Sequence, residues 1–249
     1  MYIKRHLFGN PGSRNRCFFM LNYRQIGINH IKKARESAER FDALAFAVCI
    51  KLKFSSSCLH KSDVRNLKKL FSIGSEKAGK IIQNALEHGY IKEYGSFYVV
   101  PKLKDTFNNG TLSIETENIT LKNVRKELIK LTICNHIHIN EKVQSLKQKA
   151  SNPKTLKEYK TAKRLTKKWN VTKFNTDGGL SYSAIAKKAN VSVKTAIKYI
   201  NELVSANIIK KQTFKIEFFN PVFIKSDKNI FEHRNILFFQ QSNRYTLAF

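Results

Sequence analysis

The chain of 249 residues carries 46 Lys and Arg against 18 Asp and Glu, a formal net charge of +28 at pH 7. Hydrophobic residues make up 42% of it, which excludes a disordered polycation. The longest apolar run, Ala43–Ile50, is too short to cross a bilayer, and the N-terminus shows no secretory signal. We therefore expect a cytoplasmic protein with a polyanionic partner, because so large a charge must be offset.

Positive charge is concentrated in two stretches. Residues 1–40 carry nine Lys and Arg against two Glu, and residues 120–170 carry fourteen against three. A solvated helix face ordinarily carries both signs, so the shortage of acids favours a phosphate-facing role for the middle stretch.

The first part of the chain predicts a basic arm, then helices, then a hairpin. In the arm, Arg14 and Arg16 are either minor-groove contacts or part of a solvated tail. Gly89 is expected to end a helix in the left-handed C′ position, and Gly95-Ser96 to join two strands. The helices are predicted over 29–53, 63–71 and 76–88, and the strands over 90–94 and 97–100.

The middle of the chain predicts weak structure over 105–118, a helix over 119–150 and a second basic helix over 154–169. After Leu131 the helical pattern blurs, which leaves a short strand as an alternative. On a strand, Cys134, His136 and His138 would share a face and could hold a soft metal. No second pair of ligands lies near them in the sequence, so we expect no metal site.

The C-terminal part repeats the earlier order of elements. Helices are predicted over 181–189 and 193–206, and strands over 208–211, 214–219 and 221–224, followed by an alternating segment at 243–249.

A shift of 118 residues aligns the two halves of the chain without a gap. The aligned apolar positions have the spacing of a helix, a tight turn, a helix and a strand, and the small Ala78 and Ala196 would let the helices cross closely. The aligned pairs include Leu67 with Ile185, Ile73 with Val191, Ala78 with Ala196, Ile82 with Ile200 and Ile91 with Ile209.

The segment from Ser181 to Ala196 resembles the winged helix-turn-helix family of DNA-binding domains. The likeness lies in Ile185-Ala186, Val191-Ser192 and Lys194-Thr195. It covers residues 178–211 well and 59–100 more weakly, and it departs at Asn207, where that family commonly has Gly. Asn tolerates the left-handed conformation that this position requires.

The resemblance implies a fold that is mainly α with small β-hairpin wings, an α+β chain with two winged helix-turn-helix modules in tandem. The predicted domains are a basic N-terminal arm at 1–28, a first winged-helix domain at 29–104, a basic helical linker at 105–175 and a second winged-helix domain at 176–249.

The candidate DNA-binding residues lie on the helix faces away from the core, on the wing and on the linker. Asn and Gln suit adenine edges, and Lys suits guanine or phosphate. The first copy contributes Lys77, Lys80, Gln83 and Asn84, and the second contributes Lys194, Thr195, Lys198 and Asn201. The wing contributes Lys210, Lys211 and Arg244, and the linker Lys160, Arg164 and Lys168, which recur at helical spacing as a stripe along the phosphates.

The chain lacks the usual ATP-binding, hydrolase and zinc-protease motifs, so we expect neither enzymatic activity nor a cofactor. The favoured function is sequence-specific binding of double-stranded DNA as a replication initiator of a plasmid, phage or other mobile element, because two modules on a basic linker resemble that layout. A transcriptional regulator is the alternative, and an RNA-binding or non-specific nucleoid protein the second. Further candidate partners are a second copy of the chain and other replication or transcription proteins. We expect the protein to lie at the nucleoid and not to bind a membrane.

Overall fold

The computed structural model describes residues 21–105, 109–151, 155–157, 160–161, 164, 180–212, 215–218, 230–233, 236–240 and 244–248. The chain divides into two compact units, Met1–Thr132 and Ile133–Phe249, and the boundary falls inside a long helix. The described residues are mostly helical with small antiparallel sheets, as the sequence predicted. None of the helices they form is long and apolar enough to span a membrane.

The described part of the first unit, from residue 21, is built around one buried helix. Its elements are β1 Leu21–Gly27, α1 Ile28–Ala34, α2 Ala38–Lys53, β2 Cys58–His60, a 3-10 helix Lys61–Asn66, α3 Leu67–Phe71, α4 Ser75–Glu87, β3 Lys92–Tyr94, β4 Phe97–Val99 and β5 Asn109–Glu115. A short 3-10 helix, Thr116–Asn118, leads into α5 Leu121–Ser151.

Helix α2 is the core of the first unit, because every residue from Phe41 to Ile50 is buried. The single helix predicted over 29–53 is broken before α2 by Ser37. Ser37 has extended backbone, and its side chain accepts a hydrogen bond from Arg40 N at 3.1 Å, so it caps a new helix. Cys49 lies in this core, as expected, and burial raises the pKa of its thiol.

The predictions of an arm through residue 28 and of weak structure over 105–118 are wrong for residues 21–27 and 109–115. These segments are β1 and β5, which pair antiparallel with Ile26 opposite Gly110. Leu112 and Ile114 alternate into the core at 3% and 7% exposure. These two strands are distant in the sequence, so neither segment shows a local pattern that indicates the pairing. Tertiary packing determines it.

Gly27 and Gly110 occupy neighbouring register positions of this strand pair, but their surroundings differ. A Cβ on Gly27 would lie 2.7 Å from the backbone N of Asp105, whereas the three atoms nearest to a Cβ on Gly110 would all belong to the Leu131 side chain. We expect Gly27→Ala to lower the free energy of unfolding by about 1–3 kcal/mol, because the backbone must shift. Gly110→Ala should cost less, since the Leu131 side chain can rotate. Urea unfolding of the two variants measures the difference, and equal losses would contradict this account.

Strands β2, β4 and β3 form a three-stranded sheet in that order, and α3 and α4 lie between β2 and β3 along the chain. The predicted hairpin is present between β3 and β4, with Gly95 at φ +51 in its turn. Gly89 follows α4 at φ +68, which confirms the predicted left-handed end of that helix. The helix predicted over 63–71 begins as the 3-10 helix instead, and only Leu67–Phe71 is α-helical.

Helix α5 is continuous from Leu121 to Ser151, so the alternative of a strand after Leu131 is wrong. The metal alternative depended on that strand. On a helix, a rotation of about 200° about the axis separates Cys134 from His136. The three residues at 134, 136 and 138 therefore do not share one face.

The second unit contains α6 Tyr182–Ala189, α7 Val193–Ser205, β6 Ile209–Gln212, β7 Lys215–Phe218, β8 Ile230–His233, β9 Ile236–Gln240 and β10 Arg244–Leu247. We expected β6 to form a hairpin with the next strand. It pairs instead with β10, which follows residues 213–243. Between them, β7, β9 and β8 form a separate antiparallel sheet in that order. The strand predicted at 221–224 lies outside the described residues.

The elements from α3 to β3 and from α6 to β6 follow the same order and have similar bounds under the shift of 118 residues. Helix α4 spans Ser75–Glu87 and α7 spans Val193–Ser205, which are the same bounds after the shift. The left-handed residues also correspond: Ser72 (φ 57) with Asn190 (φ 49), and Gly89 (φ 68) with Asn207 (φ 53). The left-handed conformation expected at Asn207 is therefore confirmed.

Candidate nucleic-acid interface

Helix α7 begins at a capped N-terminus that is suited to an anion. Ser192 Oγ accepts a hydrogen bond from Thr195 N at 3.1 Å and lies 2.9 Å from Thr195 Oγ1. The first turn contains no acidic residue. The backbone N–H groups and the helix dipole therefore favour an anion at this end, while the Thr195 hydroxyl is held at the cap.

One face of α7 is buried and the opposite face is exposed. Ala196 and Ile200 are fully buried. Lys194, Lys198 and Asn201 recur at positions i, i+4 and i+7, and all three are exposed. The exposed stripe expected from the sequence is therefore present, with amine and amide groups of the kind that read base edges or contact phosphate.

The wing strand β6 carries two exposed lysines beside the start of α6. Lys211 Nζ donates to the Tyr182 hydroxyl at 2.7 Å and lies 5.2 Å from the centre of the same ring. Lys210, and Arg244 at the start of β10, are exposed as well. The structure therefore places all three predicted wing cations on the same two-stranded sheet.

The end of β10 is tied to helix α5. Leu247 N donates to Glu141 Oε1 at 3.1 Å, and Ala248 N donates to Ile208 O at 3.0 Å. Burial raises the pKa of Glu141, and the hydrogen bond from Leu247 opposes that shift. One turn away, burial and then Lys142 lower the pKa of His138. These contacts fix the edge strand that supports the wing lysines.

In the first unit, two of the predicted base contacts already have partners. Lys77 Nζ lies 2.8 Å from Asp42 Oδ2, and Arg125 approaches the other oxygen of the same buried carboxylate at 2.7 Å. Gln83 donates to Glu87 at 2.9 Å along α4. Lys80 is exposed and Asn84 is half-buried on the same helix. The sequence offered no signal for this contact, because Asp42, Lys77 and Arg125 come from three different helices.

The predicted linker stripe falls partly outside the described residues. Lys160 and Arg164 are described and exposed, and Lys168 is not among the described residues. The spacing of this stripe stays a prediction.

A further group of cations in the first unit was not found from the sequence. Arg24 Nε donates to Lys51 O at 2.7 Å. Burial lowers the pKa of Lys51, and the positive charges of Arg24 and Lys104 lower it further. These residues come from β1, α2 and the segment before β5, so their proximity depends on the strand pairing that local patterns did not reveal.

Comparison with known proteins bears on the second of the two helix pairs. No curated protein and no solved structure matches the chain. Residues 175–210 match the family model described as winged helix-turn-helix DNA-binding, a range that contains α6, α7 and the start of β6. The chain therefore carries one winged helix-turn-helix DNA-binding domain, at residues 175–210.

Proposed function

We propose that the chain is a sequence-specific double-stranded DNA-binding protein in which α7 enters the major groove. The observation that carries this is the exposed stripe of Lys194, Lys198 and Asn201 on the second helix of the matched domain. Lys194 and Asn201 read bases, whereas Lys198 and the wing cations contact phosphate. The net charge of +28 supplies the sequence-independent part of the affinity.

We propose further that the first unit is a second winged helix. The equal bounds of α4 and α7, the matching left-handed residues and the hairpin of β3 and β4 directly after α4 support this. Its role differs from that of the second unit, because Lys77 is paired with Asp42 and α4 carries Glu76 and Glu87. We expect the first unit to position the protein on DNA and the second unit to specify the sequence.

Two such modules in one chain favour a replication initiator of a mobile element over a transcriptional regulator. The layout of two modules joined by a basic helical segment supports this process, because it resembles the layout of plasmid and phage replication initiators. In this proposal the protein is not an enzyme, acts in the cytoplasm at the nucleoid, and binds repeated sites alone or as two copies. Its distinguishing expectation is a binding site made of direct repeats.

Selection of duplexes from a random library tests the proposed function. The full chain should enrich one sequence, and the enriched duplex should compete better than structured RNA at the same salt concentration. No enriched sequence would indicate a non-specific nucleoid protein, and stronger competition by RNA would indicate an RNA-binding protein. Either outcome would contradict the proposal.

The affinity for duplex DNA should depend strongly on salt. If about eight phosphates are neutralised, log K should fall with log salt at a slope of about −7, because each contact releases a condensed counterion. Fluorescence anisotropy at several salt concentrations measures the slope. A slope shallower than about −3 would contradict binding through the positive surface.

A further inference from the structure

Three aromatic side chains form one row across the three-stranded sheet β2-β4-β3 of the first unit. Strand register places His60 opposite Phe97, and Phe97 opposite Tyr94. Directly opposed residues lie on the same face of an antiparallel sheet. Tyr94 is 61% exposed and Phe97 is 46% exposed, so two of the three rings present large apolar surface to solvent.

The aromatic row lies on the face of the sheet away from the core. The neighbouring row contains Leu59, which is fully buried, and alternation along β2 puts His60 on the other face. Lys92 lies two residues before Tyr94 and is exposed, so it shares the aromatic face. Glu93 lies on the opposite face of β3. The acidic side chain of the hairpin is thus directed away from the row.

Local contacts hold the rings of His60 and Phe97 in place. His60 Nδ1 accepts a hydrogen bond from Ser62 N at 3.2 Å, and the His60 ring meets Phe97 edge-on with centroids 5.0 Å apart. Lys61 N donates to Ser96 O at 2.8 Å and so ties the hairpin turn to β2. Lys61 also forms an ion pair with Glu93. Rings fixed in this way lose little conformational entropy when a flat ligand stacks on them.

We propose that the His60–Phe97–Tyr94 row is a stacking platform for the unpaired bases of a nucleic-acid strand. Every base has a π face, and stacking on an aromatic side chain is tolerant of sequence. Charge selects the occupant: Lys92 on the same face and the net charge of +28 suit a polyanion. The proposal rests on the proposed function only in that the partner is nucleic acid, and it adds a strand with exposed bases to the duplex bound by α7.

The full chain and a labelled 15-nucleotide thymidine strand test this platform. The double variant Tyr94→Ser with Phe97→Ser should weaken binding of the strand by about ten-fold or more. The salt slope should stay unchanged, because no phosphate contact is removed. The conservative variants Tyr94→Phe and Phe97→Tyr keep a ring at each position and should bind as the parent does. Ser96→Ala, in the turn between them, is the matched control and should also bind normally.

Duplex binding separates this proposal from the proposed function. The platform variant should bind the enriched duplex within about two-fold of the parent, whereas Lys194→Ala with Asn201→Ala should lose duplex binding and retain the strand. Thermal unfolding should stay cooperative for every variant and shift only slightly for the platform variant, since both aromatic positions are partly exposed. Light-induced cross-linking of a 5-iodouracil strand should mark Tyr94 or Phe97. Unchanged strand affinity, an equal loss on duplex and strand, or cross-links only elsewhere would overturn the platform.

Discussion

Replacing Lys194 and Asn201 together by alanine is expected to reduce binding of the enriched duplex by about 2–6 kcal/mol, at about 1–3 kcal/mol for each lost base contact. Both side chains are exposed on the stripe of α7 opposite the buried Ala196 and Ile200, so their removal leaves the core intact. Binding to random DNA should fall much less, because phosphate contacts carry that affinity. Titrations of both duplexes at one salt concentration measure the two losses.

The matched control for this double variant is Lys33→Ala, which removes an exposed positive charge on α1, outside the helix-turn-helix of the second unit. It should weaken binding to the enriched duplex and binding to random DNA by the same small factor. If the Lys194 and Asn201 variant also weakens both duplexes equally, these residues do not read bases, and the sequence specificity must reside elsewhere in the chain.

Phe71→Ala is expected to destabilise the first unit by about 3–5 kcal/mol. Phe71 is fully buried and meets Phe46 and Phe54 edge-on, with ring centroids 6.1 Å and 6.4 Å away. Its removal leaves a cavity at the end of α3, directly before the turn into α4. Urea unfolding followed by circular dichroism measures the loss of stability.

The same truncation at Phe97 provides the control for this experiment. Phe97 is 46% exposed, so Phe97→Ala removes less buried surface and should cost about 1 kcal/mol. A loss at Phe71 no larger than that at Phe97 would show that the packing of α3 against α2 contributes little to the stability of the unit.

The helix ends and the turns of this protein could be predicted from the sequence because their causes are local. Ser181 and Ser192 cap α6 and α7 through hydrogen bonds that reach only three residues along the chain. Gly89 and Asn207 end helices in the left-handed conformation, which Gly and Asn adopt at low cost. The stripe of Lys194, Lys198 and Asn201 followed from helical periodicity alone.

Tertiary structure decided everything that joins distant segments. Strand β1 pairs with β5, and β6 pairs with β10 although residues 213–243 separate them. The sequence of each strand gives no indication of which partner it pairs with. Lys77 lies on Asp42, 35 residues away in the chain. The row of His60, Phe97 and Tyr94 exists only because three short strands pair in one register. Such contacts require the chain to close long loops, and burial of the whole core, rather than any local preference, determines which ones form.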